Sequence, residues 1–134
     1  MDIDELTQTF DLFDDWEDKY RFVIDLGKEL PSLEEPSKVE ANLIRGCQSQ
    51  VWLTYQQSPT GALHFSMDSD AFIVRGLITI VLIALNDKQP EEVLDFDIEG
   101  LFTELELIQH LSPTRGNGLR AMIARIHGIA TTCA

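Results

Sequence analysis

Cysteine is scarce in this chain of 134 residues, with two only, at positions 47 and 133. Separated by most of the sequence, they make neither a disulfide framework nor a metal-ligand pair of C-x-x-C spacing, which fits a reducing compartment. Each thiol therefore has to be judged alone. Basic residues are few as well: 10 against 23 acidic ones, for a net charge of −13. That sign is wrong for tracking a phosphate backbone or an anionic membrane surface, so neither nucleic acid nor membrane is expected as a partner. Long hydrophobic runs are missing too. The longest, Leu77 to Leu85, is about half of what spans a bilayer, and Arg75 stands just before it. The opening Met-Asp-Ile-Asp-Glu has neither the basic start nor the apolar run of a secretory signal, so the expected location is cytoplasmic. No internal repeat and no low-complexity segment is present.

What remains is sufficient for one ordinary core, since 44% of the residues are hydrophobic and the length suits a single domain over residues 1–134. Ile3, Leu6, Phe10 and Phe13 recur at helical steps behind Asp2 and Glu5, which have the form of a capping box. Trp16, Tyr20, Val23, Ile24 and Gly27 mark a second helix, capped by Asp14 or Asp15 and ending before Pro31. Residues 31–38 read as a surface loop. From Val51 the period changes to two, and Leu63, Phe65 and Met67 alternate in the same way after the turn residues Ser58-Pro59-Thr60-Gly61, which predicts an antiparallel hairpin. Leu43 and Ile44 suggest one further short strand.

Asp68-Ser69-Asp70 offers N-caps for a helix from Ala71 to about Leu85, apolar on nearly every side and hence central. Pro90-Glu91-Glu92 predicts a short helix, and Leu101, Leu105 and Ile108 another. Ser112-Pro113 opens a last helix with Leu119, Met122, Ile123, Ile126 and Ala130 on its apolar face, while the tail from Thr131 is expected to fray. The fold class that follows is α+β: a small antiparallel sheet packed on one face by helices.

The segment Asn42-Leu43-Ile44-Arg45-Gly46-Cys47-Gln48-Ser49-Gln50-Val51-Trp52 carries the chemistry. It sets a cysteine behind a glycine, between a short apolar run and a strand, with polar or cationic neighbours. Two readings of Cys47 stand on the residues alone. One is a small buried hydrophobe. The other is a loop-tip nucleophile whose thiolate is favoured by a positive neighbour such as Arg45.

The run at 42–53 resembles the signature of the SufE and CsdE sulfur-acceptor family. Four further blocks agree and run in family order: Trp16-Glu17-Asp18-Lys19-Tyr20-Arg21; Asp68-Ser69-Asp70 with Ile73-Val74-Arg75-Gly76-Leu77; Gln109-His110-Leu111-Ser112-Pro113; and Thr114-Arg115 with Gly118-Leu119. The resemblance implies a small curved sheet packed by helices, related to the IscU-type scaffold. It implies a non-enzymatic carrier that takes persulfide sulfur on Cys47 from a cysteine desulfurase of the SufS or CsdA kind, stimulates that enzyme, and passes sulfur on for iron–sulfur cluster assembly. The recipient would be a SufB-like scaffold or another sulfur acceptor. No cofactor is implied for the chain itself, since the pyridoxal phosphate belongs to the desulfurase.

For the site, the resemblance implies Cys47 as the acceptor, with Gly46, Gln48 and Ser49 around it. Arg115 is the first candidate for a guanidinium that stabilises thiolate and perthiolate, and Arg45 the second; for both the plain alternative is a solvated surface arginine. Asp70 either helps to place the cysteine loop or is a simple N-cap. His110 either exchanges a proton with the thiol or is structural. Trp16 and Tyr20 are core or partner contacts, and Cys133 is an incidental thiol. Gly116-Asn117-Gly118 departs from the commoner Ser-Gln-Gly of the family, which puts the neighbourhood of Arg115 in question. Three other classes compete: a hydrolytic or peroxidatic thiol enzyme using Cys47 and His110, a cluster scaffold, for which one motif cysteine supplies too few ligands, and an adaptor that docks on the desulfurase without accepting sulfur.

Overall fold

Both early helices begin where their acidic caps predict, in a computed structural model that describes residues 1–47 and 49–134. Asp2 accepts the Glu5 N–H at 2.8 Å and opens α1 (Ile3–Asp11); Asp15 accepts the Asp18 N–H at 2.9 Å and opens α2 (Trp16–Lys28). Such caps are each worth about 1 kcal/mol. Leu6, Phe10, Val23 and Leu26 carry these helices into the core. The segment that follows contains two short 3-10 turns, at Glu35–Ser37 and Glu40–Asn42.

The hairpin forms as its alternation requires. β1 (Val51–Gln57) and β2 (Leu63–Ser69) pair antiparallel, with Val51 opposite Ser69 and Tyr55 opposite Phe65. Val51, Leu53, Leu63, Phe65 and Met67 are buried, whereas Gln56 and His64 on the opposite face are exposed. Near the start of β1 that second face is also covered, because Asp68 pins the segment before the cysteine loop. Its carboxylate accepts the Leu33 N–H at 3.1 Å and lies 3.6 Å from Lys38 Nζ, and the same ammonium stands 5.6 Å over the Trp52 ring. Arg75 completes the cluster by pairing with Asp68 and donating to the Gly27 carbonyl at 3.1 Å. Leu43 and Ile44 do not make a strand of their own: Leu43 forms a single bridge to Trp52, and Ile44 N–H donates to Val51 C=O at 2.8 Å.

The central helix, α3 (Phe72–Leu85), buries Ile73, Val74, Leu77, Ile78, Ile80 and Val81. Its expected capping is corrected by the structure. Ala71 holds the cap position and no side chain caps it, because the Asp68 carboxylate is taken by Arg75 and the Leu33 N–H, the Ser69 hydroxyl accepts the Ala71 N–H at 3.2 Å, and Asp70 turns its carboxylate to the Gln50 N–H, 3.0 Å away. α3 crosses α2 with backbones in contact: a Cβ on Gly27 would lie 2.7 Å from the Gly76 nitrogen, and one on Gly76 would overlap the Val23 carbonyl.

α4 (Pro90–Asp95) is started by Glu92, which accepts the Gln89 N–H at 3.1 Å; α5 (Ile98–Glu104) and a 3-10 turn at Ile108–His110 follow. α6 (Pro113–Cys133) opens on Ser112, whose hydroxyl accepts the Arg115 N–H at 3.2 Å. The tail does not fray. Ala130 is fully buried, and the Thr131 and Thr132 hydroxyls donate to the carbonyls four residues back, so the helix continues to Cys133. The architecture is α+β, a small antiparallel sheet against helices. No helix of the described residues is long and apolar enough to cross a membrane.

Candidate functional site

Cys47 lies where three elements meet. The loop leading into β1 carries it, α6 stands against it, and α3 closes the floor. Gly46 sets the bend with a φ of 96°, a conformation that side chains disfavour, and a Cβ there would press on Ala121 of α6 at 3.2 Å. Both ends of the loop are anchored. Ile44 is bonded to Val51, and Gln50 is bonded twice to Asp70, through the carboxylate and through the Asp70 N–H to the Gln50 carbonyl at 3.3 Å.

Held in this way, the thiol is half-buried and packs on the main core. Its Sγ–H donates to the Gly118 carbonyl at 3.5 Å. Gly118 belongs to the second turn of α6, and its lack of a side chain leaves room, since a Cβ would stand 3.6 Å from the sulfur. A cavity of about 40 Å³ remains beside the thiol, space on the scale of one or two water molecules. Val51, Val74, Leu77, Leu119 and Met122 form its apolar side, and Ser49, Thr114 and Arg115 its polar side. Among the described residues no carboxylate lines it.

Burial pushes the Cys47 thiol above its ordinary value of 9.0. In the resting arrangement the group is thus a protonated thiol, because desolvation penalises the thiolate. This differs from the expectation that a flanking cation favours ionisation. Arg45 points outward, with its side chain 81% exposed, and pairs with the equally exposed Glu40 at 3.3 Å, so its charge is spent in solvent.

The expected residues therefore divide into groups. Cys47, Ser49 and Arg115 share the cavity, Gly46 shapes the bend, and Asp70 ties down the loop exit. Arg45 is outside the cavity. His110 is exposed and stacks on Trp16, with ring centroids 4.4 Å apart and planes at 11°, and it does not line the cavity. Gln48 lies outside the described residues. Sequence reasoning missed the Gly118 carbonyl as the thiol's acceptor and Val74, Leu77, Thr114 and Met122 as cavity wall. Their spacing along the chain carries no signal of proximity, since Val74 and Met122 look like any core residues on helical faces. Among the described residues no group of three or more His, Cys, Asp or Glu side chains is placed to hold a metal ion.

Comparison with known proteins agrees with this architecture. The family model described as SufE, Fe-S metabolism associated domain, matches residues 4–130. The solution structure of a hypothetical protein from Thermus thermophilus is similar in fold, with a TM-score of 0.76 at 16% identity, covering 98% of this chain and 94% of that one.

Proposed function

The chain belongs to the SufE family, a domain associated with iron–sulfur metabolism, and from that premise we propose that it is a cytoplasmic sulfur carrier that accepts sulfur on Cys47 from a pyridoxal-phosphate cysteine desulfurase and stimulates that enzyme. The observation that carries the reading is the Cys47 environment: a lone thiol on a glycine-hinged loop, tucked into a small cavity with an arginine in its wall and no acid among its described lining. A carrier has opposing needs. Its thiol must be nucleophilic inside the donor's cleft, yet inert toward oxidants between deliveries. A half-buried, protonated resting thiol meets the second need, and motion of Cys47 out of the cavity meets the first.

The transfer is a thiol exchange. The Cys47 thiolate attacks the outer sulfur of the donor persulfide, a new S–S bond forms on Cys47, and the donor's own S–S bond breaks with its electron pair leaving on the donor cysteine. No net oxidation occurs. In this reading the Arg115 guanidinium in the cavity wall stabilises thiolate and perthiolate, and the first turn of α6 adds partial positive charge. Sulfur then passes by the same chemistry to a cluster scaffold or another acceptor.

Mass spectrometry after incubation with a cysteine desulfurase and L-cysteine tests this. The expected result is the mass of one added sulfur atom on Cys47, removed by reductant and absent from Cys47→Ser. Sulfur mapping to Cys133 would move the site. Full stimulation of the desulfurase by Cys47→Ser would support the adaptor reading in place of the carrier.

A further inference from the structure

Charge is segregated along this chain. Residues 41–67 and 107–134 contain Arg45, Arg115, Arg120 and Arg125 and no Asp or Glu, so they carry +4 against −17 for the rest, which together give the total of −13. These residues are the cysteine loop, most of the hairpin and α6.

Within these stretches, β1 has an open edge. Alternation in the hairpin turns the main-chain groups of odd-numbered residues away from the partner strand. On β2 the outward groups of Leu63 and Phe65 are occupied: Leu63 bonds to Lys88 and Asp87, and Phe65 to the Asn86 side chain. On β1 the cover ends at the bridge between Leu43 and Trp52, and among the described residues the outward N–H and C=O of Tyr55 and Gln57 have no partner. Such an edge is a template for another strand.

Beside this edge lies a groove of about 240 Å³ lined by Tyr55, Ala124, Arg125, Gly128, Ile129 and Thr132. Its α6 wall is low, with nothing within 4 Å of where a Cβ on Gly128 would be, while Tyr55 is a 44% exposed aromatic on the opposite wall. Arg125 is exposed and takes part in none of the ion pairs among the described residues, unlike Arg45 and Arg120, which pair with Glu40 and Glu99.

We propose that an extended, carboxylate-bearing segment of the sulfur-donating partner docks in this groove as an added strand on β1, with its acid on Arg125. The inference rests on the carrier reading above and adds to it the partner's docking surface and its chemistry. Backbone pairing with Tyr55 and Gln57 supplies the affinity, and Tyr55 the apolar anchor. Charge selects the partner: the unpaired Arg125 attracts an acidic segment while the acidic remainder of the chain, −17 outside these stretches, repels it, which orients the encounter. Helical rise separates Arg125 from Gly118 by about 10 Å along α6, so one partner reaches both the groove and the Cys47 cavity.

The experiment uses the full chain and a cysteine desulfurase of the SufS kind. Amide hydrogen exchange is measured free and in complex, and dissociation constants are measured for the unmodified chain, Arg125→Glu and Arg21→Glu, the last reversing a charge on α2. The expected result is slowed exchange at the Tyr55 and Gln57 amides, binding at least ten-fold weaker for Arg125→Glu, and unchanged binding for Arg21→Glu. Binding by the unmodified chain with those amides unprotected, or equal losses for the two charge reversals, overturns the docking site and leaves the carrier reading intact. No binding by the unmodified chain overturns both.

Discussion

Replacing Gly46 by alanine perturbs the resting state of the cysteine and little else. The backbone there has a φ of 96°, and a Cβ would stand 3.2 Å from that of Ala121. A non-glycine residue in such a conformation costs about 1–2 kcal/mol, with a few tenths more for the tight contact. The cost falls on the tucked loop alone, because a loop lifted from the cavity is free to choose another φ. The population of the lifted form should therefore rise about 5- to 30-fold. Alkylation of Cys47 by a small maleimide at constant pH reads this population directly, provided that the sulfur reacts only when lifted. Denaturant unfolding of the same variant should show a stability loss of equal size, about 1–2 kcal/mol, since the strain sits in the dominant native form. The two measurements must agree. A clear stability loss without faster alkylation would mean that reagents reach the sulfur in its resting place, and the sheltering argument would be refuted.

Two other outcomes follow from the site and its supports. Because burial raises the Cys47 thiol above its ordinary 9.0, its alkylation rate in the folded protein should climb with a midpoint above that value and return to the ordinary range in denaturant. The folded state holds this proton more tightly than the unfolded state, so the associated stability is fully present below the ordinary thiol value and is lost as pH rises through the raised one; Cys47→Ala should lack that loss in pH-dependent melts. Asp68→Ala should cost about 3–5 kcal/mol in urea unfolding, since it strands the largely buried Arg75 charge and the Leu33 N–H together, and a loss below 1 kcal/mol would show that the Asp68–Arg75 cluster is not a structural anchor.

Much of this fold is legible in the sequence because its signals are local. Asp2, Asp15 and Ser112 cap the helices that follow them, and the two-residue period from Val51 produces the hairpin. Sequence reasoning fails where a group has a distant competitor. Asp70 has the chemistry of a cap, but Gln50, on another segment, takes its carboxylate. Arg45 is two residues from the thiol in sequence, yet Glu40 draws it into solvent. End effects alone favour a frayed tail, and core packing of Ala130 overrides them. The Cys47 loop is legible from its glycine and its family blocks. Its cavity is not, because the walls come from residues up to 75 positions away, as with Met122.

How far the sulfur can travel follows from what stays fixed. Ile44 is bonded to Val51, and Gln50 to Asp70, so each anchor is three residues from Cys47. At no more than about 3.6 Å per residue, the Cys47 backbone cannot move farther than roughly 11 Å from either anchor. On the proposed carrier reading, the donor sulfur must therefore be brought to the protein's surface near β1 and α6, since the loop is too short to search for it. Nor is leaving the cavity costly: the thiol gives up one weak bond to the Gly118 carbonyl and a half-buried contact, a loss that a docked partner readily offsets. On that reading, opening of the loop is governed by whether a partner is seated close enough for its sulfur to meet the thiol, which ties the reactivity of Cys47 to recognition by the surrounding surface.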